Sequence, residues 1–199
     1  MTTRRDTRLL RDRIAPGVRV LFVGINPGVR SAQTGHHFAG YSNRFWKLLY
    51  ESQLVPEPVT FEDDDRLPEF GYGITNIVAR ATPGMNDLRA EEYQQGARAL
   101  LKKIEKFQPE IVALVGVTVY RALLASLGDE QAARRVIRLG LQQPPVPFSA
   151  RVFVLPNPSG RNANYTYDEM LAAFRSLRRA LNRRVSVQNR QGAQFKTQG

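Results

Sequence analysis

Four short apolar runs punctuate the chain: Arg19–Gly24 (RVLFVG), Gly73–Val78 (GITNIV), Ile111–Gly116 (IVALVG) and Arg151–Leu155 (RVFVL). Each is rich in β-branched residues and too short for a helix, which predicts four buried strands. Elsewhere the apolar positions recur at helical spacing. Phe45, Leu48 and Leu49 follow Ser42, and Tyr93, Ala97, Leu100, Leu101, Ile104 and Phe107 form a stripe before Pro109. Val119, Leu123 and Leu127 follow the third strand, and Tyr167, Met170, Leu171, Phe174, Leu177 and Leu181 follow the last. Strands alternating with helices predict an α/β fold. The expected form is a three-layer α/β/α sandwich with a central, mainly parallel, four- or five-stranded sheet. In such sheets the ligand sits beyond the carboxyl ends of the strands, so the loops that follow them should carry the chemistry.

The pattern fades at both ends. Residues 1–13 read as a basic N-terminal extension, and Ala15-Pro16-Gly17 reads as a turn. Residues 14–184 carry the domain. Residues 185–199, VSVQNRQGAQFKTQG, are polar without a period and read as a disordered tail.

Charge narrows the partner. The 199 residues include 29 Lys plus Arg against 18 Asp plus Glu, a net charge of +11. That excess points to a polyanion, most often nucleic acid. An anionic membrane is the weaker option, because no basic helix carries an exposed apolar face. No apolar run approaches the roughly 20 residues that span a bilayer, and the first residues lack the apolar stretch of a secretory signal, so the cytoplasm is the expected location. The chain has no cysteine and two adjacent histidines, His36 and His37. Disulfides, thiolate metal sites and a cysteine nucleophile are excluded, and neither a histidine-rich metal centre nor a Ser-His-Asp relay is expected.

Three of the strands run into loops rich in Gly, Pro, Asn and Ser. They are Gly24-Ile25-Asn26-Pro27-Gly28, then 79–87 (ARATPGMND), then 156–164 (PNPSGRNAN). Turn chemistry alone accounts for many such loops. Three at one sheet edge favour a binding site, where backbone approaches a ligand closely. Gly24 and Gly28 do not form a G-x-G-x-x-G fingerprint, and no G-x-x-x-x-G-K-[ST] loop is present, which counts against a nucleotide-cofactor enzyme.

GINPG, TGHHFAGYSNRFWKLL, GYGITNIVARATPG and LPNPSGRN stand in order along the chain. Together they resemble the mismatch-specific uracil-DNA glycosylase and thymine-DNA glycosylase family, from about Pro16 to about Leu181. The resemblance implies a base-excision repair enzyme that flips a deaminated base out of duplex DNA and hydrolyses its N-glycosidic bond. It implies no metal and no organic cofactor.

Breaking that bond needs donors near the pyrimidine oxygens and a held water beneath C1′. Backbone N–H groups of the Gly24–Gly28 loop, Ile25 included, suit the first task. Asn26 suits the second through its side-chain oxygen, and by resemblance it occupies the family's water-positioning place. An amide is no general base near neutral pH. Faster relatives carry an aspartate there and a neighbouring tyrosine that excludes a 5-methyl group. Gly28 and Val29 leave that corner open here, which implies tolerance of 5-substituted or enlarged pyrimidines.

Phe38 is the candidate for stacking on the flipped base, with plain packing under the loop as the rival. Phe45 and Trp46 are assigned to core or loop support. His36 and His37 are read as contacts to phosphate or base, or as polar surface. Ser31 is a further pocket candidate. Asn76, at the mouth end of the second strand, has an amide suited to the Watson–Crick edge of uracil or to the water. Asp87 is read as the cap of the helix bearing Tyr93 and Leu100, with a catalytic base as the rival. The run Asp63-Asp64-Asp65 reads as a solvated loop. In this superfamily the loop matching Asn157, Ser159 and Gly160 pinches the DNA backbone and faces the sugar. By the same resemblance Arg161, with Asn162 beside it, is placed to enter the gap left by the base and to read the orphaned guanine, with an ordinary phosphate contact as the rival. Arg175, Arg178, Arg179, Arg183 and Arg184 form a basic face, solvated or tracking phosphate.

The resulting expectation is a monomeric, monofunctional glycosylase acting on uracil, best opposite guanine in double-stranded DNA. The alternative is a nucleic-acid-binding module of the same fold without efficient chemistry.

Overall fold

The computed structural model describes residues 10–129, 131, 134–143 and 149–194. Its centre is a five-stranded sheet in the order β2-β1-β3-β5-β4. β1 (Val20–Gly24), β2 (Tyr72–Asn76), β3 (Ile111–Val115) and β5 (Arg151–Leu155) run parallel. β4 (Gly140–Gln142) pairs antiparallel with β5 at the edge. The sequence pattern did not reveal β4, which is only three residues long with Leu141 exposed. β2 begins one residue earlier than its apolar run and stops at Asn76; Ile77 and Val78 are buried beyond it.

Alternation along the strands builds the two outer layers. Val20 and Phe22 of β1, with Ile74, Ala113 and Phe153, face α2 (Phe45–Glu51) and α5 (Tyr167–Gln194). Leu21 and Val23, with Val112, Leu114 and Val154, face α3 (Ala90–Phe107) and α4 (Val117–Ser126). A parallel strand buried on both faces reads as a continuous apolar run, which is why these four were visible in the sequence. The short helix α1 (Val29–Thr34) follows β1, and a 3-10 helix over Phe61–Phe70 leads into β2.

Both ends depart from the expected boundaries. Leu10 is buried, and Arg13 exchanges backbone hydrogen bonds with Ile74 on the outer edge of β2 (3.0 and 2.8 Å). The domain therefore starts before residue 14. Helix α5 continues past 184 to Gln194, so much of the segment read as a disordered tail prolongs the helix. Residues 1–9 and 195–199, and the side chain of Arg184, lie outside the described residues. Among the described residues no helix is long and apolar enough to cross a membrane.

Candidate active site

Strand register gathers the loops. Gly24 stands opposite Asn76 at the ends of β1 and β2, and Val115 opposite Leu155 at the ends of β3 and β5. The carbonyls of Gly24, Ile25, Pro27 and Gly28 accept from the N–H groups of Ile77, Val78, Thr82 and Ala32 at 2.8–3.2 Å. The first loop is thus held through its carbonyls. The N–H groups of Ile25 and Asn26 have no backbone partner among the described residues.

Asn26 is fixed by its amide nitrogen. Nδ2 donates to Thr82 Oγ1 (2.7 Å), Arg80 O (3.1 Å) and Pro27 O (3.3 Å). Thr82 Oγ1 spends its own proton on Gly84 O at 2.6 Å, so it accepts from Asn26. Two carbonyls and this hydroxyl determine which end of the amide is nitrogen. Oδ1 is left as an acceptor without a partner among the described residues. Sequence reasoning missed Thr82, which is buried and carries no signature beyond turn chemistry.

Asn76 is oriented in the same way by His37. The histidine is buried, and its Nε2 lies 2.9 Å from Arg11 O, which can only accept. Nε2 therefore carries the proton and Nδ1 is the acceptor for Asn76 Nδ2 at 3.4 Å. Burial lowers the His37 pKa, opposed by the bond to Arg11 and the carboxylates of Asp64 and Asp12. Asn76 Oδ1 lies over Gly24, where a Cβ would come within 2.5 Å of it and 3.5 Å of Phe38 Cζ. A side chain at residue 24 would have to push the Asn76 amide aside.

Phe38 stacks on Phe45 with ring centroids 4.2 Å apart and planes 21° from parallel. It is half-buried and has a left-handed backbone, φ 52°, which a bulky residue adopts only where its surroundings enforce it. One side of the Phe38 ring packs on Phe45 while the side chain stays partly open. Phe45 and Trp46 are core residues, as expected, and Trp46 Nε1 donates to His37 O.

Several expected roles change. Ser31 is buried, and its hydroxyl accepts from Ala39 N at 3.1 Å. Asp64 is wholly buried, not part of a solvated acidic run. It accepts from Arg13 Nε and His37 N, and its Oδ1 lies 3.0 Å from His36 Nδ1. His36 and His37 are thereby tied inward. Asp87 does not cap α3, which begins after Arg89, with Arg89 N donating to Glu92 Oε2 at 2.9 Å. Asp87 Oδ2 instead accepts from Gly84 N at 3.1 Å and closes the turn whose carbonyl holds Thr82. Arg80 pairs with Glu92 and holds its carboxyl down at about 2.

The loop after β5 docks on the segment that precedes α2. Arg44 N donates to Pro158 O at 2.9 Å. A Cβ on Gly160 would lie 2.5 Å from Ser42 Cβ, so only glycine permits this contact. Asn157 is exposed, and its Oδ1 accepts from Ser159 N at 3.0 Å, which shapes the turn. Ser159 Oγ accepts from Arg161 N, and Asn162 Nδ2 donates to Asn157 O at 2.8 Å. The Arg161 side chain projects from this turn, exposed and without an ion-pair partner among the described residues. Arg178 is engaged by Gln53 Oε1.

Asn76 also borders a cleft of about 340 Å³ beside Asp12, Arg80, Glu92 and Lys103. Its charges pair with one another, Lys103 with Asp12 at 2.7 Å and Arg80 with Glu92 at 2.7 Å. No three His, Asp or Glu side chains gather as a metal site among the described residues.

A glycine floor, an oriented amide at each of two strand ends, a stacked aromatic and an arginine-tipped turn thus share one edge of the sheet. Residues 12–181 match the family model of the uracil DNA glycosylase superfamily, and the chain belongs to that superfamily of DNA-repair hydrolases.

Proposed function

We propose that the chain is a monofunctional DNA glycosylase that removes uracil, best from opposite guanine, and leaves an abasic site. The observation that supports this reading is the locked Asn26 amide, whose Oδ1 has no partner among the described residues, on the same strand-end loop as Gly24. In this reading a flipped uracil lies on Phe38. Asn76 Oδ1 accepts its N3–H, a contact that cytosine, with a lone pair at N3, does not offer. Asn26 Oδ1 accepts a hydrogen bond from the water under C1′. The C1′–N1 bond breaks, its electron pair leaves with the pyrimidine, and loop N–H groups meet the charge on O2. The water oxygen bonds to C1′ and its proton passes to solvent. Because an amide takes no proton near neutral pH, bond breaking runs ahead of water attack. Asp87 then serves by closing the loop that holds Thr82, not as a base.

Arg161 fills the vacated stack and pairs with guanine through its forked donors. A wobble pair is also easier to open, so part of the preference for guanine needs no contact. The test is a labelled duplex carrying uracil opposite guanine or adenine, scored for alkali-labile abasic sites. Cleavage faster opposite guanine is expected, with Arg161→Ala slower on both and less selective. Duplex binding without abasic sites would establish the non-catalytic module instead.

A further inference from the structure

Tyr41 is the most exposed large hydrophobic side chain among the described residues, at 91%. A single exposed aromatic is ordinary on a protein surface. This one is held. The Arg30 guanidinium lies 3.7 Å from its ring centroid, and a second ring, Phe61, lies 5.4 Å from the same guanidinium. Arg30 Nε donates to Ala39 O at 2.6 Å, which ties the pair to the loop that bears Phe38. Arg30 has no acidic partner among the described residues. Along the chain Tyr41 lies between the two halves of the proposed site. Phe38 lies three residues before it, and the next residue, Ser42, packs against Gly160 of the arginine-tipped turn.

We infer that Tyr41, backed by Arg30, is a stacking platform for a nucleobase adjacent to the flipped one, and that through it the chain binds uracil in single-stranded DNA. This rests on the glycosylase reading above. A strand with one base on Phe38 and its backbone at the Ser159–Gly160 turn crosses Tyr41. In a duplex the neighbouring bases have both faces covered by their own stack, so the ring gains no partner. In a single strand a base face is free. Stacking on an aromatic ring stabilises such complexes whatever the base, and the cation behind the ring adds to it. Sequence-tolerant grip on unpaired DNA follows.

The experiment uses the full chain and oligonucleotides carrying 2′-fluoro-2′-deoxyuridine, whose electron-poor sugar resists cleavage. Binding is measured for the single strand and for the duplex opposite guanine. The wild-type chain should bind both. Tyr41→Ala should weaken single-strand binding by about tenfold, with little change for the duplex and no change in salt dependence, since stacking releases no counterions. Tyr41→Phe should bind like wild type, and Tyr41→Leu like alanine. Exposure at residue 41 makes all three compatible with the fold. Wild-type binding to the duplex alone overturns the inference, as does undiminished single-strand binding by Tyr41→Ala. Failure of the wild-type chain to bind either probe overturns the glycosylase reading itself, and the inference with it.

Discussion

Thr82 and Asn26 hold one another in a single orientation: Thr82 Oγ1 gives its proton to Gly84 O and accepts the Asn26 amide at 2.7 Å. The direction of the amide, and so the position of its free oxygen, is decided by a buried hydroxyl 56 residues away in sequence.

Replacing that hydroxyl tests the arrangement. Thr82→Val keeps the shape and removes the acceptor. Single-turnover cleavage of uracil should fall by roughly ten- to a hundredfold, the usual effect of small misplacement of a reacting group. Asn26→Ala should remove most turnover. Both variants should keep their affinity for a duplex with an abasic-site analogue, and Thr82→Ser should recover the rate. An unchanged rate in folded Thr82→Val would detach the water from Asn26.

Asp87 separates loop closure from base catalysis. Asn at this position still accepts from Gly84 N, so Asp87→Asn should keep both rate and melting temperature. Asp87→Ala loses the turn bond, with a cost under about 1 kcal/mol and a moderate slowing through Thr82. A large rate loss in fully folded Asp87→Asn would make the carboxylate a base.

His37 sets a pH limit. The unfolded chain takes up this proton near 6.5, and the folded chain only at lower pH. The stability that His37 contributes is therefore complete above 6.5 and is lost as pH falls through the lowered value. Protonation puts a donor on Nδ1, and Asn76 must turn its oxygen toward it. In the proposed complex Asn76 then shows N–H to the uracil N3–H. Single-turnover rate should drop on the acid side before thermal melting begins, and His37→Gln should remove that limb. A flat rate down to the melting limit would contradict the coupling.

In the proposed pocket Gly28 forms the open corner. A Cβ there meets nothing within 4 Å, and its φ of −70° suits any residue. Wild-type protein should cleave 5-substituted uracils, fastest with electron-withdrawing groups that stabilise the leaving anion. Gly28→Tyr should lose these substrates selectively and keep uracil. Rejection of every 5-substituted uracil by the wild-type chain would close the corner.

The sequence is informative where one residue type has one use. Runs such as IVALVG are buried on both faces and announce parallel strands, and Gly24, Asn26 and Asn76 stand out because strand ends in such sheets face ligand. It is uninformative where a role depends on a distant partner. Asp64 sits among three consecutive acids, and nothing local distinguishes the one that Arg13 and the His37 backbone draw inward. Asp87 precedes a helix at plausible capping distance, yet the helix starts two residues too late for it to serve. β4 borrows its geometry from β5 and has no pattern of its own.

The missing side chain at Gly160 also constrains how this molecule can be altered. Its backbone rests directly on Ser42, with Arg44 bonded to Pro158 alongside. The segment before α2 and the Pro158–Arg161 turn form one interlocking pair. A chimera that imports either loop from a relative inherits half of a matched contact, so the two are exchangeable only together.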